Sequence, residues 1–391
     1  MKLLYVLERY PELSQTFVAQ EILGLIELGC EVRVVALEHG VDGLQPAQSK
    51  TASDLTGSEK VAALIGELGS APAKVLSQLA GDPNWPPPSG TRRFRGALRI
   101  AAFTSDARWA DHVHSHFATE AADIGRLLAN AADRPFSFTA HGADAYADQS
   151  QLRVNITSAV FARGASAHVA DRLKAAANNP HEAAKVVEIP VAVDTERFRQ
   201  PGSYSPDGNV VAIGRLIEKK GFSTLIEAFA NVQNSTSLQG RSLIIAGEGP
   251  LRAKLERQSR DLGARVEFLG SQPHERMADL LWAASLFALT PQIAADGDRD
   301  GRPTVLIEAM AAGIPVLSTS IPGIDDLINP ANGTLARAGD IKSVSDGLVK
   351  LLALSPRDLE ALGAGGLATS APYSRAAVAK AMLKHFSAPG Q

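Results

Sequence analysis

Two carboxylates beside an apolar helix pattern are the first residues whose types and spacing suggest chemistry. The stretch 296-DGDRDGRPTVLIEAMAAGIPV-316 places Asp300 eight positions before Glu308, and Glu308 lies inside an alanine-rich run that ends at Gly313. A carboxylate in such a run costs free energy unless a cation or a ligand stabilises it. Asp300 stands among other charged loop residues and indicates less by itself. The pair is compatible with surface solvation, a structural arginine partner, metal ligands or a sugar site.

A second stretch has the residue types of an anion site. In 213-IGRLIEKKGFSTLIEAF-229 a strand pattern ends at Gly214, and Arg215, Lys219 and Lys220 precede a helix pattern. The first turn of a helix has unpaired N–H groups and a partial positive charge, which favour an anion. Arg215 adds a guanidinium fork suited to phosphate, and Lys220 adds a point charge. A solvated turn with ordinary basic residues is the alternative.

A third turn, 246-AGEGPLRAKL-255, carries two glycines. Gly247 and Gly249 flank Glu248 between a strand pattern and a helix pattern, so the backbone there can approach a nucleotide closely. The G-x-G-x-x-G fingerprint of dinucleotide-binding proteins is incomplete, which makes this a weak signal for NAD. A plain tight turn is the alternative.

Three alternating histidines form the remaining cluster. His112, His114 and His116 in 112-HVHSH-116 are expected to face one side of a strand. Zinc takes three or four ligands in a tetrahedral arrangement, and a straight strand spaces these side chains too widely to share one ion. We therefore predict no metal site here, and we expect the later histidines at the carboxyl end of the strand.

The elements that must position these residues alternate between strands and helices. Strand patterns occupy 2–8, 31–38, 112–117, 135–142, 166–170, 185–193, 209–216, 242–249, 265–270, 286–291 and 314–319. This alternation indicates parallel sheets in an α/β fold, whose ligands bind at the carboxyl ends of the strands. The polar, proline- and glycine-containing segment 196–208 is typical of a linker.

These patterns predict two domains of similar size with a cleft between them. The first domain covers 1–195 and the second covers 209–371, on either side of the linker 196–208. A C-terminal helix within 372–391, at about 374–387, is expected to return to the first domain.

The composition narrows the class of protein. A chain of 391 residues exceeds one ordinary core, and its 39 basic and 42 acidic residues give a formal charge of −3, which provides no reason to expect nucleic acid as a partner. The single cysteine, Cys30, cannot form an internal disulfide. The N-terminal apolar run stops at Glu8, and no apolar stretch approaches ~18 residues, so we predict neither a signal peptide nor a transmembrane helix. We expect a cytoplasmic protein.

A basic stretch, 91-TRRFRGALR-99, leaves room for contact with a membrane surface. Arg92, Arg93, Arg95 and Arg99 alternate with apolar residues and could bind anionic headgroups at the inner face of the cytoplasmic membrane. A solvated helix face is the alternative.

Taken together, the motifs resemble family 4 glycosyltransferases, which are retaining nucleotide-sugar enzymes of GT-B architecture. The resemblance is carried by GRLIEKKGFSTLIEAF, LIIAGEGPLR, VEFLG and DGRPTVLIEAMAAGIPVLSTSIPGIDDLI in the second half, and by PELSQTFVAQEI, HSHFATEAADIGRLLA, FSFTAHGADAY and VAVDTERF in the first. The first-half motifs are similar to a branch that acts in bacterial surface-polysaccharide assembly, of the exopolysaccharide or colanic-acid type.

The resemblance implies a fold and a set of ligands. The fold is α/β with two Rossmann-like domains, whose parallel sheets face each other across a cleft. The co-substrate is a nucleoside-diphosphate sugar of the UDP or GDP type, and the acceptor is a saccharide or a polyprenyl-linked saccharide. No metal ion or other cofactor is expected.

The resemblance also implies roles for single residues. Arg215 and Lys220 bind the donor diphosphate and stabilise the leaving group in place of a metal ion. Asp300 contacts hydroxyls of the donor sugar, Glu308 contacts the ribose, and His141 approaches the sugar from the first domain. The expected catalytic residues are Asp300, His141, Arg215 and Lys220. The expected donor-binding residues are Arg215, Lys220, Gly247, Gly249, Gly301, Arg302, Pro303, Thr304, Val305 and Glu308.

Two positions depart from the pattern of the family. Asp300 stands where glutamate is usual, and its side chain is one methylene shorter, which would set the carboxylate back from the sugar or fit a sugar of different stereochemistry. Ala192 stands where glycine is common, and alanine is strained there if the backbone needs a positive φ. The loop 8–14 is expected near the phosphates and the acceptor.

Three other functions are compatible with two α/β domains. A nucleotide-sugar epimerase would need acids and bases at C2 of the sugar, which we do not identify. An NAD-type oxidoreductase would need a complete glycine fingerprint after the first strand. A non-catalytic two-lobed sugar-binding protein is normally exported, and no signal peptide is predicted.

Overall fold

The computed structural model describes residues 1–12, 15–41, 43–70, 90–146, 148–200, 202 and 204–387. They form two compact units. Unit 1 takes the described parts of Met1–Ala192 and Arg375–Gln391, and unit 2 takes those of Val193–Ser374. Each unit is built around its own parallel sheet.

Unit 1 has a seven-stranded sheet in the order β3-β2-β1-β4-β5-β6-β7, and all neighbouring strands are parallel. The strands are β1 Lys2–Tyr10, β2 Glu31–His39, β3 Gln48–Thr51, β4 His112–His116, β5 Phe136–Ala140, β6 Phe161–Gly164 and β7 Val186–Glu188. The helices are Thr16–Glu27, Gly57–Ser70, Gly90–Trp109, Glu120–Ala132, Gln149–Ser158, Ala167–Ala176, Pro180–Ala184 and Arg375–Phe386, with a 3₁₀ turn at Ala143–Tyr146.

Both faces of the unit 1 sheet are buried, which explains the continuous apolar run of its first strand. Leu4 and Val6 lie in the core on one face, and Leu3, Tyr5 and Leu7 lie in the core on the other. Parallel strands covered by helices on both sides show this pattern instead of strict alternation.

Unit 2 has a six-stranded parallel sheet in the order β10-β9-β8-β11-β12-β13. The strands are β8 Asn209–Ile213, β9 Leu243–Ala246, β10 Val266–Gly270, β11 Ala284–Ala288, β12 Val316–Ser320 and β13 Gly333–Arg337. The helices are Thr195–Phe198, Phe222–Val232, Arg252–Asp261, His274–Trp282, Thr304–Ala311, Ile341–Leu352 and Pro356–Ser370, with 3₁₀ turns at Glu218–Lys220 and Ala371–Tyr373.

The strand order in each sheet is that of a doubly wound, Rossmann-like fold. The chain builds outward from the first strand on one side and then returns to build on the other, so the order reverses between β1 and β4 and again between β8 and β11. Ligands of such sheets bind beyond the carboxyl ends of the strands at this reversal, which is called the topological switch point. The prediction of two Rossmann-like units with parallel sheets is confirmed.

One predicted strand is a helix in the structure. The segment 166–170 begins the helix Ala167–Ala176, because the hydroxyl of Ser166 accepts a hydrogen bond from the Val169 N–H and caps the first turn. The strand of this region is β6, five residues earlier. The edge strands β3 and β13 were not predicted, because short edge strands carry a weak apolar pattern.

The segment predicted to be a linker packs on unit 2 in the parts that are described. Residues 195–198 form a short helix whose Phe198 is buried, and the Trp282 indole N–H donates to the Phe198 carbonyl at 2.8 Å. Tyr204 donates to the Ser285 carbonyl. A polar composition indicated a linker, but two aromatic side chains hold the segment against the domain.

The C-terminal helix Arg375–Phe386 packs within unit 1 against the helix Thr16–Glu27. A Cβ at Gly24 would lie 2.8 Å from Ala379 Cβ, so the close approach of the helices requires glycine there. Arg375 also forms an ion pair with Glu27 at 2.6 Å. The sequence-distant last helix therefore completes the core of unit 1.

The basic stretch 91–99 lies in the helix Gly90–Trp109. The side chains of Arg92, Arg93 and Arg95 lie outside the described residues, whereas Arg99 forms an ion pair with Glu120 at 2.6 Å. Within the described part of the chain, no helix combines the length and the apolar character needed to span a membrane. Contact with a membrane surface stays a prediction.

Candidate active site

The switch point of unit 2 collects the residues that the sequence singles out. Strand β8 ends at Ile213 and leads into 214–221, while β11 ends at Ala288 and leads into 289–303. The two strands are neighbours in the sheet, so their following loops meet at one edge. Arg215 and Lys220 lie in the first loop, and Asp300 lies in the second.

Lys220 and Asp300 form the centre of this edge. The Lys220 ammonium lies 2.8 Å from one oxygen of Asp300, and Lys219 lies 3.7 Å from the other. Lys219 also pairs with Asp298 at 3.0 Å. The side chains of Lys219, Lys220 and Asp300 are only 12–14% exposed, so their charges are less screened than those of a surface ion pair.

Lys219 had no assigned role in the sequence prediction. The KK doublet was visible, but the sequence alone gives no reason for two consecutive side chains to share one carboxylate. In the structure, residues 218–220 form a single 3₁₀ turn, which brings both lysines to the same loop. The two consecutive lysines were visible in the sequence, but only the geometry of the turn shows that both reach Asp300.

Gly221 holds the two loops together. Its φ is +69°, and a Cβ there would lie 1.7 Å from the Thr290 carbonyl oxygen. The Thr290 hydroxyl donates to the Gly221 carbonyl at 2.8 Å, and the Gln292 N–H donates to the Lys219 carbonyl at 2.9 Å. The position of the lysines is therefore fixed by the loop that carries Asp300.

Gly247 and Gly249 lie against the backbone of the first loop. A Cβ at Gly247 would lie 1.9 Å from the Gly214 carbonyl oxygen, and one at Gly249 would lie 2.5 Å from that of Leu216. The Leu216 N–H donates to the Glu248 carbonyl at 2.8 Å. The close approach that these glycines permit is thus between two loops of the protein, and their predicted contact with a nucleotide stays a prediction.

The helix Thr304–Ala311 begins directly after the Asp300 loop. Pro303 is its N-cap residue, and no side chain caps this end. The first N–H groups of the helix, beginning at Thr304 and Val305, are therefore available to an anion. This N-terminus lies on the same loop as Asp300 and Gly301.

Arg302 supports the loop from the side. Its guanidinium donates to the Gly323 carbonyl at 3.0 Å and to Tyr373 and Asp326, and its side chain is 7% exposed. Position 323 requires glycine for two reasons: its φ is +95°, and a Cβ there would lie 1.8 Å from the Gly301 carbonyl oxygen. The side chain of Arg302 thus holds Gly323, which packs against Gly301, and the predicted contact of Arg302 with the donor stays a prediction.

Glu308 lies on the helix Thr304–Ala311 and is half-buried. Burial raises the pKa of its carboxyl from 4.5 to about 7. Across the described residues, its carboxylate has no hydrogen bond and no ion pair, so the structural arginine considered from the sequence is not found. A buried carboxylate without a hydrogen-bond or ion-pair partner costs free energy, and such groups concentrate at functional sites.

Arg215 is exposed and follows Gly214 at the end of β8. No ion pair or hydrogen bond of its guanidinium occurs among the described residues. Its freedom contrasts with the fixed position of Lys219 and Lys220. An exposed guanidinium at the mouth of the loop can close on a bound anion.

His141 belongs to unit 1, in the loop after β5. Its Nε2 lies 2.9 Å from Nδ1 of His116, and its backbone N–H donates to the Asp144 carboxylate. Burial lowers the pKa of His141 well below 6.5, and the positive charge of Arg163 lowers it further. His141 is therefore a neutral imidazole at physiological pH.

The three histidines of β4 face one side of the sheet, as predicted. His112 and His114 each lie 2.7 Å from the Ser137 hydroxyl, and His116 lies 3.2 Å from Glu21. Possible ligand atoms of Glu21, His114 and His116 lie within 4.8 Å of one another, closer than the sequence argument allowed. A straight strand keeps its own side chains apart, but Glu21, on the helix Thr16–Glu27, supplies a possible ligand atom close to those of His114 and His116.

These possible ligands already have other partners. Arg163 donates to Glu21, and the second nitrogen of His114 lies 2.9 Å from the Thr139 hydroxyl. A metal ion would have to displace both. The sequence analysis did not single out Glu21. The signal that identified Glu308, a carboxylate within an apolar helix pattern, also applies to Glu21, which lies on the apolar face of its helix beside Val18, Ile22 and Leu25.

Ala192 is not strained. Among the described residues other than glycine, a positive φ occurs at Phe117 and Asp133 and not at Ala192. The departure from glycine at this position therefore has no backbone cost.

The comparisons with known proteins agree with this geometry. Residues 193–364 match the family model described as Glycosyl transferases group 1. A putative colanic acid biosynthesis glycosyltransferase, WcaL of Salmonella typhimurium, is 27% identical over 93% of each chain. A GDP-mannose-dependent monoacylated alpha-(1-6)-phosphatidylinositol monomannoside mannosyltransferase of Corynebacterium glutamicum is 30% identical over 46% of this chain. That match spans half (50%) of the length of the relative.

The fold also matches solved structures along its whole length. The crystal structure of Anabaena Alr3699/HepE in complex with UDP superimposes with a TM-score of 0.73 at 18% identity, covering 99% of this chain and 100% of that one. At this identity the likeness establishes a shared fold. The fold it shares is that of two Rossmann-like units, each with its own switch point.

Proposed function

Because the chain has the GT-B fold and its residues 193–364 are a group 1 glycosyl transferase domain, we propose that the protein is a retaining glycosyltransferase. It moves a sugar from a nucleoside-diphosphate donor to a saccharide or lipid-linked saccharide acceptor. The observation that supports this most directly is the pair of lysines held beside Asp300 at the switch point of unit 2.

The diphosphate of the donor binds at this lysine pair. Lys220 now faces the Asp300 carboxylate at 2.8 Å, and a phosphate oxygen is a stronger partner for the same ammonium. Arg215 and the backbone N–H groups at the start of Thr304–Ala311 add further donors. Gly247 and Gly249 let the neighbouring turn come close to the nucleotide.

The sugar and the ribose bind on either side of the diphosphate. Asp300, on the loop before the helix, accepts hydrogen bonds from sugar hydroxyls, and Glu308, on the helix, accepts them from the ribose. The lone, half-buried carboxylate of Glu308 supports this assignment, because two hydroxyl donors would supply the partners it lacks.

The chemistry proceeds by substitution at the anomeric carbon with retention. The bond from this carbon to the diphosphate oxygen breaks, and a bond to the acceptor oxygen forms on the same face. The acceptor proton passes to a phosphate oxygen of the leaving nucleoside diphosphate. Lys220 and Arg215 stabilise the charge that develops there, which is the role a metal ion has in other transferases. His141, a residue of unit 1, contacts a hydroxyl of the donor sugar.

The relatives indicate candidate classes of donor and acceptor. One relative is named for GDP-mannose and a structural neighbour holds UDP, so both bases are candidates here. The WcaL likeness supports a role in surface-polysaccharide assembly, and for that role we propose a saccharide or polyprenyl-linked saccharide as the acceptor. Such an acceptor would place the protein at the inner face of the cytoplasmic membrane, with Arg92, Arg93, Arg95 and Arg99 as the contact.

The experiment is release of nucleoside diphosphate from a panel of UDP- and GDP-sugars, with and without an acceptor extract and with and without EDTA. We expect release with one class of donor, unchanged by EDTA, and an α- or β-configuration in the product equal to that in the donor. Epimerised donor without diphosphate release, or NADH oxidation, would exclude a transferase. Loss of release in EDTA would exclude a metal-free site.

A further inference from the structure

A chain of hydrogen bonds in unit 1 runs from the protein interior to His141. Arg163 donates to one oxygen of Glu21, the other oxygen lies 3.2 Å from His116 Nε2, and His116 Nδ1 lies 2.9 Å from His141 Nε2. The Glu21, His116 and Arg163 side chains are fully buried. The chain ends at His141, which is half-buried just beyond the carboxyl end of β5.

The first link fixes the proton on His116. Desolvation works to raise the pKa of Glu21, but the Arg163 guanidinium and the hydrogen bond from His116 outweigh it and hold that pKa well below its usual value. Glu21 is therefore a carboxylate, which can only accept hydrogen bonds. Tyr5 donates to it at 2.7 Å, and His116 must donate to it from Nε2.

The second link fixes the proton on His141. Arg163 already balances the charge of Glu21, so a second cation at His116 would be an uncompensated charge in the buried cluster. Neutral His116, protonated at Nε2, has a lone pair at Nδ1. His141 must then donate from Nε2, and its own lone pair is left at Nδ1.

The ring of His141 is also clamped in orientation. It stacks on His116 with ring centres 5.1 Å apart, and it contacts Phe17 at 4.7 Å and Phe117 at 4.6 Å. Phe117 adopts a φ of 71°, which costs a bulky residue free energy, and its ring is held against His141. Asp144 accepts the backbone N–H groups of His141 and Gly142.

We propose that Glu21 and His116 are positioning residues, which hold His141 in the Nε2-protonated tautomer so that Nδ1 accepts a hydrogen bond from a sugar hydroxyl. This inference rests on the proposed transferase function for the identity of the hydroxyl. The tautomer itself is a property of the free protein. His141 thus acts as an acceptor toward the substrate and not as a donor or a cation.

The first experiment reads the tautomer in the wild-type chain by ¹⁵N NMR of histidine-labelled protein between pH 6 and 8. The resonances of His141 are assigned by their loss in His141→Gln. We expect a protonated Nε2 and an unprotonated Nδ1, with no change across this range. A protonated Nδ1, or an imidazolium at pH 7, would overturn the inference without any variant having to fold.

The second experiment breaks the chain at His116. His116→Phe keeps the stacked ring but removes the acceptor for His141 Nε2, so His141 should become a mixture of tautomers. We expect kcat to fall roughly 10- to 100-fold, by analogy with the loss of the hydrogen-bond partner of a metal-ligating histidine, while KM for the donor changes little. His112→Phe is the matched control, since His112 lies on the same face of β4, is buried and bonds to Ser137 instead.

The outcomes separate this inference from the proposed function. If His116→Phe and His112→Phe have the same kcat and the same His141 spectrum, the positioning role is wrong even when the enzyme is a transferase. If the wild-type protein releases no diphosphate from any donor, the transferase proposal fails, and the spectrum still decides the tautomer. Glu21→Gln, which removes the fixed acceptor for His116, should give the same mixed spectrum as His116→Phe.

Discussion

At the scale of single residues, Lys220 has one partner in the free protein and would have another in the complex. Asp300 holds it at 2.8 Å, in a setting where both side chains are 12% exposed. Phosphate and carboxylate therefore compete for one ammonium group. The contrast between variants at the two positions tests this competition.

We expect Lys220→Ala and Asp300→Asn to have opposite effects on nucleoside-diphosphate binding. Lys220→Ala removes a charged hydrogen bond of about 1.5–3 kcal/mol and should weaken Kd roughly 10- to 100-fold. Asp300→Asn frees Lys220 and should tighten Kd, while kcat falls because the sugar loses its carboxylate. Isothermal titration with UDP and GDP measures the first quantity, and diphosphate release measures the second.

The control for this pair is Lys342→Ala, an exposed lysine of unit 2 that pairs with Asp346. It should leave both Kd and kcat at wild-type values. If Asp300→Asn weakens the diphosphate as much as Lys220→Ala does, the two groups cooperate in binding, and the competition between Asp300 and phosphate for Lys220 is refuted. If Lys220→Ala leaves Kd at the wild-type value, the assignment of Lys220 to the phosphates fails.

Glu308 makes stability and binding depend on pH in opposite directions. Its pKa is about 7 in the folded protein, because burial disfavours the carboxylate, against about 4.5 when unfolded. The folded state therefore keeps a proton that the unfolded state releases, and the free energy of unfolding falls as pH rises from about 4.5 to 7. Glu308→Gln removes this loss.

We expect Glu308→Gln to be more stable than the wild type at pH 8 by about 1–3 kcal/mol, allowing for partial solvent screening, and equal to it near pH 4.5. Denaturant unfolding at several pH values measures this, with exposed Glu360→Gln as the control. The affinity for an intact UDP- or GDP-sugar, which does not itself titrate near neutrality, should rise with pH through 7 in the wild type and stay flat in Glu308→Gln. A flat wild-type profile would refute the ribose contact.

At the scale of elements, the site depends on two loops that are locked together by glycine. Gly221 adopts a left-handed backbone conformation, and the position also has no space for a side chain beside Thr290. Gly240 has a similar φ of +80° but has no neighbour within 4 Å. The two positions separate the cost of the dihedral angle from the cost of the close approach.

We expect Gly240→Ala to lose about 1 kcal/mol, which is the cost of a left-handed alanine, and to keep full activity. Gly221→Ala should lose more, and kcat should fall, because the added Cβ pushes Thr290 and the Asp300 loop away from the lysines. Chemical unfolding and diphosphate release measure both variants. Equal stability and equal kcat in the two would show that the loops are not coupled through this contact.

The elements themselves were largely predictable from the sequence, because parallel strands buried on both faces are short apolar runs between helices. The predictions failed where a local cap or an edge position decided the structure. Ser166 turns a strand-like SAHVA into the start of a helix. The polar QSKT of β3 pairs only along one side, at the edge of its sheet.

At the scale of the whole molecule, we expect the donor to bind to unit 2 and to stabilise mainly the residues around its site. Ligand binding to the folded state adds RT ln(1 + [L]/Kd), which is about 2.7 kcal/mol at 100 times Kd. Hydrogen exchange should therefore slow most at 214–221 and at 289–308 when a UDP- or GDP-sugar is added. Protection confined to unit 1 would contradict the placement of the donor. Lys220→Ala, at the same donor concentration, provides the unprotected reference.

The sequence by itself determined the class of fold, the family resemblance and the residue types of the donor site. These properties are local: strand patterns, helix starts, and a carboxylate that is too costly for its apolar helix can all be recognised within about twenty residues. The match of residues 193–364 to the group 1 glycosyl transferase model and the shared GT-B fold support that resemblance.

Only the tertiary structure decided which of these residues meet. Lys219, Lys220 and Asp300 are about eighty residues apart along the chain and come together because β8 and β11 are neighbours at the switch point. The relay from Glu21 through His116 to His141 spans three elements, and no local pattern contains it. Short-range spacing fixes what a side chain can do, whereas strand order fixes which partner it has.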